Sequence, residues 1–226
     1  MKPFIFLLAG LFLFLNLSAQ RTFEKTESLN AAEELKLEFS FTDNIMLEAW
    51  NQSSVKVVVT VNINDGKDND KFDLKTKRYG QTLEIKSNIW DLEDIGETII
   101  KKDQNENIVI NKHKHVSIDM EVIVYLPKDI PVSLETIGGD IESNGMNAKL
   151  LVKTVSGDID VSWDRNTGAD LELNTVSGKM YSDFDIRTQP QKKFSYLPSS
   201  VSSIINNGGA TLKLNTVSGN IYFRKR

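Results

Sequence analysis

The only imidazoles in the chain are His113 and His115. An i, i+2 spacing in a strand turns both rings to one face, an arrangement that a metal ion could use. No third ligand accompanies them. Asp119 is the first acid downstream, and Lys112 and Lys114 make the stretch basic. The pattern reads as a solvated strand edge, and no metal site is assigned. Asp65, Gly66, Asp68, Asp70 and Asp73 form a second cluster, with the flavour of a calcium loop. The spacing fails, because no Gly takes the sixth place after a leading Asp and no Glu closes the loop. Lys67 and Lys71 interleave as well. A solvated acidic loop is the preferred reading, with a weak extracellular calcium site as the lesser one.

Nucleophilic chemistry is as poorly supplied. Ser156, Ser177 and Ser218 each sit in a copy of Thr-Val-Ser-Gly, and no histidine stands near them to act as base. The residues after the three glycines, and after Gly139 of a degenerate copy, are Asp140, Asp158, Lys179 and Asn220. A polysaccharide hydrolase or lyase would need clustered carboxylates here, or a carboxylate beside a base. Stacked Asp140 and Asp158 would repel, whereas Asp158 beside Lys179 would attract, so charge pairing is the simpler account. The chain is expected not to be an enzyme, with no catalytic residue and no cofactor. Trp50, Trp90, Trp163, Tyr181 and Tyr222 could form platforms for sugars, although aromatics on a repeat are more often core.

The elements that would position these residues are repeats. Thr154-Val155-Ser156-Gly157, Thr175-Val176-Ser177-Gly178 and Thr216-Val217-Ser218-Gly219 follow the degenerate Thr136-Ile137-Gly138-Gly139. Alternating apolar residues lead into the motif (Leu171 and Leu173, Leu212 and Leu214), and an apolar residue returns two places after the Gly. The glycines are 18, 21 and 41 residues apart, the last interval being nearly two periods. Such self-similarity marks a repeat architecture. Thr154, Ser156, Gly157, Thr175, Ser177, Gly178, Thr216, Ser218 and Gly219 are therefore assigned as structural repeat residues. The threonines are expected to form an inward or corner hydroxyl ladder.

The fold class is all-β, since no amphipathic helix is signalled after the N-terminus. Period-two alternation marks strands over Leu35–Phe41, Ile45–Ala49, Val55–Ile63 and Val116–Leu126, the last stopped by Pro127. Residues 20–34 read as a polar lead-in, 64–78 as a charged stretch, and 87–112 as a long loop with packed anchors. The repeats fold most simply as a β-solenoid, parallel and β-helix-like, with about 20 residues per coil. The N-terminal strands would then form an antiparallel cap. An antiparallel β-meander or sandwich, with Ser-Gly as a hairpin turn, is the alternative. It would leave Val155, Val176 and Val217 on the polar face. Residues 185–211 break the period and read as a coil carrying extra residues, with its turn at Asn207-Gly208-Gly209. This is also the best place for a binding loop.

Met1-Lys2, the apolar run from Phe4 and the exit at Ser18-Ala19 make residues 1–19 a secretory signal peptide, with an uncleaved anchor as the alternative. Residues 20–131 would form an N-terminal β portion and 132–226 the repeat portion. There is no cysteine, which excludes disulfides, thiolate metal sites and lipid attachment to an N-terminal Cys. The formal charge is −4, and loss of Lys2 with the leader makes it about −5, which argues against nucleic acid as a partner. No transmembrane segment is expected in the mature chain. The last strand signal runs directly into Arg224-Lys225-Arg226, so no C-terminal anchor is expected either.

The repeats, preceded by Leu126-Pro127-Lys128-Asp129-Ile130-Pro131-Val132 and closing on Thr216 to Lys225, resemble the putative adhesin family of secreted bacterial β-strand-repeat proteins. The resemblance covers roughly residues 32–226. It implies a β-solenoid-like fold outside the cytoplasm and supplies no catalytic residues. The function expected is that of a secreted or envelope-associated, adhesin-like or structural binding protein in the periplasm, at the cell surface or outside the cell. Its partner would be a glycan, a matrix protein or an envelope protein. A periplasmic scaffold or accessory protein is the alternative, and a carbohydrate-active enzyme on a solenoid a distant third.

Overall fold

Period-two alternation, the signal for a half-buried strand, runs through most of the protein and decides which face of each strand is buried. A computed structural model describes residues 19–29, 33–92, 95, 97–102, 108–186 and 199–226, and for 97–114 the backbone alone. The leader expected over residues 1–19 lies outside the described residues apart from Ala19. Strand β1 (Arg21–Ser28) precedes β2 (Glu34–Phe39) and β3 (Asn44–Trp50), which bury Leu35, Leu37, Phe39, Ile45 and Leu47. Strand β4 (Ser54–Ile63) buries five β-branched residues on one face, from Val55 to Ile63. A 3-10 turn at Asn69–Lys71 leads into β5 (Phe72–Tyr79) and β6 (Thr82–Ile89). Next come β7 (Glu97–Lys102), β8 (Ile108–His115) and β9 (Ile118–Pro127). The repeats supply β10 (Val132–Thr136), β11 (Asp140–Asn144), β12 (Leu150–Ser156), β13 (Ile159–Trp163), β14 (Ala169–Ser177) and β15 (Met180–Ser182). After them run β16 (Ser199–Ile205), β17 (Ala210–Ser218) and β18 (Ile221–Lys225).

Two eight-stranded mixed sheets enclose one apolar core. The first runs β1-β4-β9-β3-β11-β13-β18-β15, and the second β16-β14-β17-β12-β10-β2-β6-β5. Strands β7 and β8 form a separate antiparallel ribbon. Each repeat gives one strand to each sheet, turning from one to the other at its Ser-Gly corner. Strands joined by a corner do not pair with each other, so the hairpin reading of Ser-Gly is replaced by parallel pairing between repeats. Ile141, Ile159, Ile221 and Met180 are aligned across the first sheet, and Leu134, Val152, Leu214 and Leu173 across the second.

The observed topology departs from the sequence reading in four respects. The N-terminal portion is not simply an antiparallel cap: β2 pairs parallel with β10 and β3 parallel with β11, so residues 34–50 make one more rung of the repeat stack. Antiparallel pairing is confined there to β1–β4, β4–β9, β5–β6 and the ribbon. The rungs do not follow one another in sequence. The last rung, β17 and β18, lies between the rung of β12 and β13 and that of β14 and β15. Within residues 185–211, β16 is an antiparallel edge strand on β14 rather than part of a coil. The turn at 206–209 is present, with Asn206, Asn207 and Gly208 at φ 45°, 70° and 83°. Segments read as polar lead-in, charged stretch or loop also carry strands, namely β1, β5, β7 and β8.

Aromatic rings close the core at both ends. Phe23 packs on Phe72 at 4.9 Å between centroids at one end, and Phe184 stacks on Phe223 at 4.7 Å at the other. Among the described residues no helix is long and apolar enough to cross a membrane.

Candidate functional site

The repeat corner is where the sequence motif becomes a surface. Alternation carried from the leucines turns the threonine inward, and Thr136, Thr154, Thr216 and Thr175 are all buried. A turn frees carbonyls from the sheet ladder, and a buried carbonyl needs a donor. The threonine hydroxyls supply it. Thr154 Oγ1 donates to the carbonyl of Ser156 at 3.1 Å, Thr216 Oγ1 to that of Gly157 at 3.1 Å, and Thr175 Oγ1 to that of Gly219 at 3.0 Å. At the degenerate corner, Thr136 of that rung and Thr42 of the neighbouring one both donate to the Gly138 carbonyl at 2.7 Å. Three of these bonds, from Thr216, Thr175 and Thr42, cross from one rung to the next and fasten the corner.

The glycines are required by contact. A Cβ at Gly157 would lie 2.1 Å from the carbonyl oxygen of Gly139, and one at Gly178 would lie 1.8 Å from that of Gly219. Both neighbours are backbone and cannot swing away. The same column is tied by Gly157 N–H donating to Ser218 O and Gly219 N–H to Ser177 O, each at 3.0 Å.

Between the buried threonine and the crowded glycine, the motif presents Val and Ser to solvent. Ile137, Val155, Val217 and Val176 are exposed by 53%, 50%, 48% and 59%. Ser156, Ser218 and Ser177 lie in register beside them and are exposed. At about 4.8 Å between strands, the four β-branched side chains make a strip about 14 Å long. Outward valines were held against the hairpin reading, yet they are outward in the parallel arrangement as well. Parity places them outward in either fold, because the residue after an inward threonine must face the other way.

The residues after the glycines form a second column, in the order Asp140, Asp158, Asn220, Lys179. Each side chain accepts from the next rung's backbone: Asp140 Oδ1 from Asp158 N–H at 2.8 Å, Asp158 Oδ1 from Asn220 N–H at 2.7 Å, and Asn220 Oδ1 from Lys179 N–H at 3.0 Å. The inserted last rung thus puts Asn220 between Asp158 and Lys179, and the charge pair expected there gives way to this amide-to-side-chain relay.

The other candidates are scattered. His115 is exposed on β8, and the side chain of His113 lies outside the described residues. The acidic loop is held by its asparagines: Asn69 Oδ1 accepts from Ile63 N–H at 2.7 Å, and Asn64 Nδ2 donates to Asp68 at 2.6 Å. Among the described residues no three His, Cys, Asp or Glu side chains are grouped to hold a metal ion. Trp163 is fully buried core, Trp50 stacks on Tyr125 at 5.6 Å, and Trp90 is half exposed. Tyr181 and Tyr222 stack at 5.1 Å and 8° on the outer face of the first sheet, with the Arg224 guanidinium 5.0 Å from the Tyr222 ring. An open, polar cleft of about 1060 Å³ lies over β14, β16 and β17, where Glu172, Ser202, Ile204 and Lys213 are found. Lys213 Nζ, at 2.7 Å, and then Asn174 hold the Glu172 carboxyl below the usual carboxylate range. Residues 200–204 with Asn206 and Asn207, from the 185–211 segment, form one wall of this cleft.

Residues 132–224 match the family model described as Toastrack DUF4097. No curated protein matches the chain. Among solved structures, the chain is similar to a putative cell adhesion protein from Clostridium sporogenes ATCC 15579, at 13% identity and a TM-score of 0.54, over 92% of this chain and 100% of that one. A putative adhesin from Bacteroides fragilis NCTC 9343 matches at 10% identity and a TM-score of 0.23, over 91% of this chain and 97% of that one. A putative adhesin from Parabacteroides merdae ATCC 43184 matches at 12% identity and 0.23, over 72% and 60%. The first likeness is one of fold, and the other two are too remote to add to it.

Proposed function

We propose that this chain, which carries a Toastrack DUF4097 domain over residues 132–224, works outside the cytoplasm as a non-enzymatic, adhesin-like binding protein. Its repeats act as a short β-solenoid-like scaffold, and the exposed corner strip is the contact surface. The observation that carries this reading is the strip itself. Ile137, Val155, Val217 and Val176 recur at equivalent positions, stand about half exposed, and contribute nothing to the core. An aliphatic ribbon edged with serines suits a flat protein partner, of matrix or envelope, better than a glycan, since sugar rings pack on aromatic faces. Many weak contacts along a rigid ribbon fit a surface that has no catalytic constellation assigned to it. The leader expected from the sequence and the cell-adhesion description of the structural neighbour from Clostridium sporogenes support the extracytoplasmic setting.

Two measurements test the reading. Protease shaving of intact cells should release peptides from 132–226 without lysis; protection until the envelope is broken leaves a periplasmic scaffold instead. The chain from residue 20 should bind at least one member of a panel of immobilised collagen, fibronectin, laminin and glycans. Joint replacement of Val155, Val176 and Val217 by Thr should weaken that binding by about tenfold or more, as three apolar methyl contacts are lost. Undiminished binding by the triple variant would remove the strip from the contact.

A further inference from the structure

The two ends of the double sheet differ sharply in charge. At one end the edge strands are β1 and β5. The first carries Arg21, Glu24, Lys25 and Glu27, and the second Asp73, Lys75, Lys77 and Arg78. Charged residues on an edge are the usual defence against pairing with another chain. At the other end the edges are β15 and β16. Of the eighteen strands among the described residues, these are the two without Asp, Glu, Lys or Arg. Strand β16 reads Ser-Ser-Val-Ser-Ser-Ile-Ile, holds no proline, and pairs with β14 over seven residues without a bulge. Its outer edge has no partner among the described residues. Two large apolar side chains of these edge strands, Tyr181 and Ile204, are exposed, and Ile204, at 70%, is the most exposed large apolar side chain among the described residues.

We propose that β16 pairs antiparallel with β16 of a second copy of this chain, so that the second sheet runs on through a two-fold axis. The strand suits itself. With Ser202 on the axis, Ser200 meets Ile204 and Val201 meets Ser203, and no like charges are opposed. A two-fold contact is isologous and needs only one self-complementary patch. The flanking charges, Asp170 and Asp185 with Lys213 and Lys225, are of mixed sign, so two copies can approach. Main-chain hydrogen bonds along the edge supply the affinity, as in other strand additions. The inference does not depend on the adhesin reading, because the corner strip and the β16 edge are different surfaces.

Sedimentation velocity on the chain from residue 20 tests it. Wild type should show a concentration-dependent monomer–dimer equilibrium. Ser202→Lys and Ser202→Glu, each of which would set like charges opposite one another at the axis, should weaken the dimer by roughly fivefold or more. An equimolar mixture of the two variants, in which opposite charges meet at the axis, should restore the faster-sedimenting dimer. A monomer at every concentration, a dimer indifferent to both charges, or a mixture that stays monomeric overturns the pairing. Should either variant fail to fold by circular dichroism, wild type decides. Protection of the β16 amides from hydrogen exchange must then rise with protein concentration, and protection that does not rise overturns the proposal.

Discussion

At the scale of the residue, the Thr-Val-Ser-Gly motif divides its labour strictly, and the division can be measured. Thr216 is buried, and its hydroxyl satisfies the carbonyl of Gly157 on the neighbouring rung. Val217, the next residue, is half exposed and meets no such need. Exchanging the chemistry of the two should therefore have unequal effects. Thr216→Val keeps the shape but leaves a buried acceptor without its donor, and should cost about 1–2 kcal/mol. Val217→Thr keeps the β-branch and should stay within about 0.5 kcal/mol of wild type. Urea denaturation of the two variants checks this, and equal costs would mean that the hydroxyl ladder carries no stability. The motif itself was legible in the sequence, including the inward threonines. The valines were misjudged because they were weighed by hydrophobicity rather than by parity. Nothing local could have revealed the column of Asp140, Asp158 and Asn220 in its true order, since that order depends on which rungs become neighbours.

At the scale of the element, legibility followed burial. Strands β2, β3, β4 and β9 each place one face in the core, and their alternation is plain. Strands β1 and β5 are edges whose charges blur that alternation, and β16 is a serine-rich edge whose two faces differ little in polarity. The all-β class was therefore readable, but the sheet order was not, because β12, β14 and β17 share one pattern and any of them could neighbour any other. The order that is found has a consequence. Among the described residues, strand β14 is held by β17 and β16, and β15 by β18 alone. The rung of residues 169–182 thus reaches the rest of both sheets only through the inserted last rung. In a stack that follows sequence order, removing the last coil would leave the preceding ones seated. Here, deletion of residues 210–226 should unseat 169–182 as well. Hydrogen exchange on the truncated chain should show rapid exchange over 169–182, with protection kept over 118–163. Retained protection of 169–182 would mean that this rung can dock directly on β12 and β13.

At the scale of the whole molecule, the outer face of the second sheet decides how stability responds to pH. Lys36 donates to Glu38 and, at 3.1 Å, to Glu84, and Lys86 donates to Glu38 at 2.6 Å. These bonds hold the Glu38 carboxyl below its ordinary range, through Lys36 first and Lys86 second. Glu84 is lowered by the Tyr79 hydroxyl and then by Lys36. Lys36 itself is raised, by its bonds to Glu38 and then to Glu84. A carboxyl with a depressed folded value stabilises the fold above its unfolded value, near 4.5, and loses that contribution as pH falls through the folded one. A raised lysine stabilises below its unfolded value, 10.5, and loses that contribution as pH climbs through the folded one. This network is therefore at full strength between about pH 5 and pH 10 and weakens towards acid. The side chains are partly exposed, so the whole effect is modest, about 1 kcal/mol at most per pair. Lys36→Met removes the shared cation while keeping an apolar stem. At neutral pH the variant should melt below wild type, and the gap should narrow as pH falls through the depressed folded values of Glu38 and Glu84, where both carboxyls take up protons. Melting temperatures taken across that range decide the matter: a gap that stays constant from neutrality into acid would assign the loss to packing of the lysine stem rather than to its charge.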